Sequence, residues 1–141
     1  MEETIYIDTN VYLDYIWRRK DSIRDLYEFA FQLFRRALNG EFKIVISDWL
    51  LYELKKAIKK EIDTERLNRL ITDLKDKGRI ITVSKSKDDW KKAKEISPEH
   101  PDDALHAILA KKANAVCVIT RNLSHYADAS SIIDVKCPEN I

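Results

Sequence analysis

Residues 5–11 read Ile-Tyr-Ile-Asp-Thr-Asn-Val, and the change of character at Asp8 decides the fold. Residues 4–7 form a short, β-rich, largely apolar run of the kind a buried strand needs. Asp8, Thr9 and Asn10 are helix-capping types, set directly before VYLDYIWRRK, which reads as a helix. A strand that yields at once to a helix is how a parallel β-α-β arrangement opens.

The alternation continues along the chain. Residues 22–38 carry Leu26, Phe29, Ala30, Leu33, Phe34 and Ala37 at helical spacing, and Asn39-Gly40 stops that helix. Residues 42–46 predict a second strand, after which Ser47-Asp48 caps a helix running to about residue 61. A further helix over 63–77 ends at Gly78, a third strand covers 79–83, and a short charged helix covers 88–96. Pro101 suits the first position of a helix that runs to about residue 114. A fourth strand over 115–120, a helical turn over 124–129 and a fifth strand over 132–135 complete the chain. The expected fold is α/β: a three-layer sandwich around a mostly parallel sheet of about five strands, one domain over residues 1–141.

Composition narrows the function classes. A formal net charge of +1 gives the whole molecule little pull on a polyanion, so any nucleic-acid contact must come from local basic groups. With two glycines in the chain, no phosphate-cradling Gly-rich loop can be assembled. Cys117 and Cys137 lack the spacing of a zinc site and suit reduced thiols. The first residues show no signal-peptide pattern, and no apolar run approaches the ~20 residues of a membrane span. These features predict a soluble, cytoplasmic protein with no membrane partner.

In an open parallel sheet, ligands gather beyond the carboxyl ends of the strands. Asp8 and Asn122 follow strands directly, Glu53 lies in the first turns of the helix after a strand, and Asp103 begins a helix that leads back into one. All four therefore belong to one edge. Each has a plainer reading. Asp8 can be an N-cap, Glu53 can pair with Lys56 or Lys60, and Asp103 beside Asp102 can complement a helix dipole. His106 reads as a core histidine with its hydrogen bonds met, and Asp14 as a surface carboxylate. Yet a buried carboxylate wants a counter-charge, and a group of them suits Mg²⁺ or Mn²⁺, which prefer oxygen ligands. Such an ion activates water and steadies charge on a phosphate. Arg121, beside Asn122, is the strongest candidate for a phosphate contact.

The words IDTNVYLDY, YEL, DALHAILA, VITRNLSHY and the terminal PENI, in that order, resemble the PIN-domain family over the whole chain. The resemblance implies a Mg²⁺- or Mn²⁺-dependent ribonuclease acting on RNA, of the VapC toxin type, with a small antitoxin as partner and a homodimeric state. Carried over by motif, Asp8, Glu53 and Asp103 match the family's acids, as catalytic residues and metal ligands. Asn122 falls where many members carry a fourth acid, so this chain has an uncharged amide there. Thr9, Asn10, Thr120, Arg121 and Asn122 become supporting or substrate-binding candidates. Two other classes compete. One is a non-catalytic scaffold of this fold that binds RNA or protein. The other is a haloacid-dehalogenase-like phosphatase, which wants a second acid where this chain has Asn10.

Overall fold

The computed structural model describes residues 2–141. Strands β1 (Glu3–Ile7), β2 (Phe42–Ser47), β3 (Ile80–Val83), β4 (Cys117–Ile119) and β5 (Asp134–Lys136) form one sheet in the order β3-β2-β1-β4-β5. Every neighbouring pair runs parallel, so the sheet is wholly rather than mostly parallel. The helices are α1 (Thr9–Ile16), α2 (Leu26–Leu38), α3 (Asp48–Ala57), α4 (Glu61–Asp76), α5 (Lys87–Ile96) and α6 (Pro101–Lys112).

Strand period sorts the core into two layers. Ile5, Ile7, Ile44, Ile46, Cys117 and Ile119 face one side, where they meet Val11, Phe34, Leu50 and Leu74 from α1–α4. Tyr6, Val45 and Val118 face the other, against Ala93 of α5 and Leu105 and Leu109 of α6. Helix α6 is apolar on nearly every side because it is buried: Ala104, Leu105, His106, Ala107, Leu109 and Ala110 are all inaccessible. The chain steps from β1 outward to β3, then returns across β1 to place β4 on its far side. That reversal opens a crevice beyond the ends of β1 and β4.

Several boundaries differ from expectation for local reasons. Helix α1 stops at Ile16, not near Lys20, because Arg18 takes a positive φ of 51° and the Arg19 amide bonds back to the Asp14 carbonyl. This is a Schellman-type close with arginine in the position glycine usually takes. Helix α2 starts at Leu26, not Ser22, because the Asp21 carboxylate captures the amides of Ile23 and Arg24 and holds a turn there. Helix α3 ends at Ala57 because Ile58 turns extended to bury itself in the core. Strand β5 begins at Asp134, since the Ile132 amide is still bonded to Ala129 and Ile133 packs under the sheet.

Asp14 is the largest departure. It was expected at the surface, yet it is fully buried at the end of α1, where the helix dipole disfavours an acid. Two guanidinium groups compensate it, Arg19 at 2.8 Å and Arg121 at 3.1 Å. Replacing Asp14 with Ala removes the counter-charge shared by Arg19 and Arg121 and leaves the largely enclosed Arg121 with Glu139 alone. We expect a loss of about 3 kcal/mol, the lower end for breaking a buried pair, read as a lower urea midpoint with an unchanged slope. A loss below about 0.5 kcal/mol, the scatter of surface substitutions, would show the ion pair to be idle.

Candidate active site at the carboxyl edge of the sheet

Asp8 leaves β1 at the crevice and is 3% exposed. Its burial is tolerable because donors surround it. One oxygen accepts the Thr9 amide at 2.6 Å; the other accepts the Thr120 hydroxyl at 2.8 Å and the Asn10 amide at 3.2 Å. Thr120 is itself buried and accepts from the Asn10 side chain and the Asn122 amide, both at 3.1 Å. Asp8 is therefore both the N-cap of α1 and a fixed anion facing the cleft. The two readings are compatible.

Glu53 comes to the same place from the second turn of α3. Its Oε1 accepts the Thr9 hydroxyl at 2.6 Å and lies 2.5 Å from His106 Nε2, and no lysine pairs with it. His106 is fully buried, with Nε2 3.5 Å from Asp8 Oδ1. Its other nitrogen meets the Tyr6 hydroxyl at 2.5 Å, and Tyr6 in turn meets the Ser47 hydroxyl at 2.7 Å. A buried relay thus runs Ser47–Tyr6–His106–Glu53–Thr9. Burial alone would favour neutral imidazole, but the Asp8 charge and the Glu53 bond outweigh it and raise the His106 pKa. Burial likewise pushes Glu53 upward, and the hydrogen bond and charge of His106 overcome that push, leaving its pKa lowered.

Asp103 reaches the crevice from the first turn of α6. Burial, and then the Asp8 charge, raise its pKa to about 6. Asp8, Glu53 and His106 offer ligand atoms within 4.8 Å of one another. Asp103 lines the same cleft, but its carboxylate meets His125, with Nδ1 3.2 Å from Oδ2. Two of the expected acids thus converge beside His106, and the third shares their cleft and feels their field.

The cleft has a volume of about 470 Å³ and is lined by Asp8, Thr9, Asn10, Glu53, Asp102, Asp103 and Asn122, with Trp49, Tyr52 and Lys56 on one wall. Asn122 is exposed at its margin. Arg121 is not available to a phosphate in this arrangement: its guanidinium is bound to Asp14 and Glu139 and lies over the Phe29 ring. Tyr6 and Ser47 are the partners that residue-by-residue reading missed, and His106, read as a bonded core histidine, also reaches Glu53. A tyrosine inside an apolar strand and a histidine one turn after Asp103 were the available signals.

The donor set fits a hydrated divalent ion, which keeps several waters and takes carboxylate oxygens. A further observation agrees. The buried Tyr126 hydroxyl faces Asp8 without a well-formed hydrogen bond among the described residues, and its pKa is raised by burial and by the charges of Asp8 and Asp103. A hydration shell between those carboxylates would satisfy it.

The model for the PIN domain matches residues 4–124, and the chain belongs to that family. Two solved structures are similar over nearly the whole chain. VapBC2 from Rickettsia felis, bound to a DNA fragment from their promoter, is 18% identical with a TM-score of 0.63, over 94% of this chain and 96% of that one. FitAB bound to an IR36 DNA fragment is 16% identical with a TM-score of 0.61, over 97% of this chain and 96% of that one. At such identities these likenesses establish the shared fold. No curated protein sequence matches the chain.

The charge pattern predicts a pH-dependent stability. The folded protein holds the Asp103 proton more tightly than the unfolded chain, so ionisation between the usual carboxylate range and about pH 6 destabilises the metal-free fold. Asp103→Asn should therefore raise Tm relative to the parent by a margin that grows from pH 4 to pH 7, as thermal melts in chelator would read. A margin that stays flat with pH would contradict the like-charge account.

Proposed function

We propose that this protein is a divalent-metal-dependent endoribonuclease, the toxin partner of a small antitoxin. The carrying observation is the convergence of Asp8, Glu53 and Asp103 on one cleft at the reversal point of a PIN-domain sheet. Asp8, Glu53 and Asp103 would hold Mg²⁺ or Mn²⁺, which when bound supplies positive charge beside the scissile phosphate and acidifies water. The chain's own groups do the positioning. Thr120, Thr9 and Asn10 fix the Asp8 carboxylate, and His106 with Thr9 fixes Glu53. Asp103, in contact with His125 and open to the cleft, takes the proton from the attacking water. The water oxygen forms the new bond to phosphorus as the bond to one sugar oxygen breaks, and that oxygen acquires a proton from solvent.

The aromatic wall supports a single-stranded nucleic-acid substrate. Trp49 and Tyr52 stack at 5.4 Å, Tyr52 is 52% exposed, and the Lys56 ammonium lies 5.5 Å from the Tyr52 ring. A base can stack on that ring while the ammonium meets the backbone. For the antitoxin, a separate groove supplies a seat. The exposed side chains of Trp17 and Ile62 lie there among Arg18, Lys59, Lys60 and Arg66, which suits an amphipathic segment with acidic residues. The structural likeness to VapBC2 and FitAB agrees with such a partner. Homodimerisation belongs to the same reading, and light scattering of the partner-free protein checks it.

Purified protein should cut single-stranded RNA in Mn²⁺ or Mg²⁺ and not in chelator, in preference to single-stranded DNA. Asp103→Asn should slow cutting by ~100-fold or more, the lower bound for losing a positioned proton-transfer group, and Asp8→Asn, which loses a metal-holding carboxylate, should slow it as well. Binding without turnover in either metal would instead favour a non-catalytic scaffold, with Asn122 in place of a fourth acid as the reason. Tyr52→Ala should raise KM by about tenfold with kcat nearly kept, as the loss of one stacked base worth ~1–3 kcal/mol requires. An unchanged KM would remove the stacking wall from the proposal.

A further inference from the structure

Asp103 belongs to a second cluster as well. His100, at the entry to α6, and His125, in the 3₁₀ turn Leu123–Ala129, stack with ring centroids 4.1 Å apart and planes 10° from parallel. Nitrogens of these two rings and an Asp103 oxygen all lie within 4.8 Å of one another. The segments that carry them are tied together. The buried Ser97 hydroxyl accepts the His100 amide at 3.2 Å and donates to Asp128 at 2.9 Å, linking the loop before α6 to the 3₁₀ turn. With side-chain exposures of 42% for His125 and 18% for Asp103, an ion in solvent can reach the group.

We propose that His100, Asp103 and His125 form a second metal site, selective for Zn²⁺ or an ion of similar ligand preference, whose filling withdraws Asp103 from the catalytic cleft. Two imidazoles and one carboxylate are a zinc-type set with a fourth position left for water, whereas Mg²⁺ favours oxygen and octahedral geometry. Ligands 2.0–2.1 Å from a tetrahedral ion stand about 3.4 Å apart. The His125–Asp103 separation of 3.2 Å already meets that spacing. The remaining ligand separations are at most 4.8 Å. The withdrawal of Asp103 rests on the hydrolytic reading given above; the metal site does not.

Zinc is titrated calorimetrically into the full-length protein above pH 7, where imidazoles are neutral, with Co²⁺ absorption reporting tetrahedral coordination. One zinc should bind, with the Asp8→Asn variant retaining it. His100→Ala and His125→Ala should each weaken binding more than the ~100-fold that loss of a mere supporting contact costs. Ser97→Ala should weaken it by ~10-fold, within that supporting range. In the RNA assay, zinc should slow the parent at least tenfold in the presence of Mg²⁺ and leave the His125→Ala variant unaffected. Absence of zinc binding in the parent, survival of binding in both histidine variants, or octahedral cobalt spectra would each overturn the site. Equal inhibition of the parent and the His125→Ala variant would overturn the coupling to Asp103. If no RNA is cut at all, the hydrolytic reading fails while the calorimetry still decides the site.

Discussion

A carboxylate at the end of a buried strand must have its charge met, and Asp8 is that constraint here. At 3% exposure it has almost no water to rely on. Three donors answer it, one from its own helix start, one from Asn10 and one from Thr120 at the end of β4. The last ties together two strands that are neighbours in space and 112 residues apart in sequence. Pairing of β1 with β4 is thus tied to the carboxylate as well as to the ladder. The same reversal in strand order that makes the crevice also delivers the hydroxyl that lets an acid sit in it.

His106 extends the constraint through the sheet. Its imidazole stands between two carboxylates on one side and a tyrosine hydroxyl on the other, entirely out of water. Removing either partner type would leave a buried polar group unmatched, which costs more than a single hydrogen bond adds. The relay therefore holds Glu53 in one rotamer and transmits that order to Ser47, which also caps α3 through the Leu50 amide at 3.0 Å. A helix cap, a core tyrosine and a cleft acid act as one unit.

Much of this was legible in the sequence, and the exceptions have a common cause. The strands, the helix order and the single edge shared by Asp8, Glu53, Asp103 and Asn122 follow from periodicity and capping types, which are local. What periodicity cannot convey is which polar groups pair across the fold. Asp14 looked like surface because its neighbours on α1 are mixed in character, and its counter-charge Arg121 lies 107 residues away. Arg121 in turn looked free for phosphate because Asp14 and Glu139 are distant in the chain. His106 had a correct environment, buried and bonded, while its role as the link to Glu53 depended on a contact 53 residues away. Arg18 hid the end of α1 because a positive φ in a non-glycine residue leaves no mark in sequence.

On the hydrolytic reading, Asn122 acquires a consequence beyond a missing ligand. Asp8, Glu53 and Asp103 bring three carboxylates to the cleft, with the buried His106 between two of them and Asp102, Lys56 and Arg19 also in its lining. A fourth acid at position 122 would add a negative charge that favours a second ion, and the amide adds none. A one-ion site also places more weight on Asp103, because no second cation stands by to orient the water. On that reading, whatever draws Asp103 toward the His125 side of the cleft acts on the residue proposed to receive the proton.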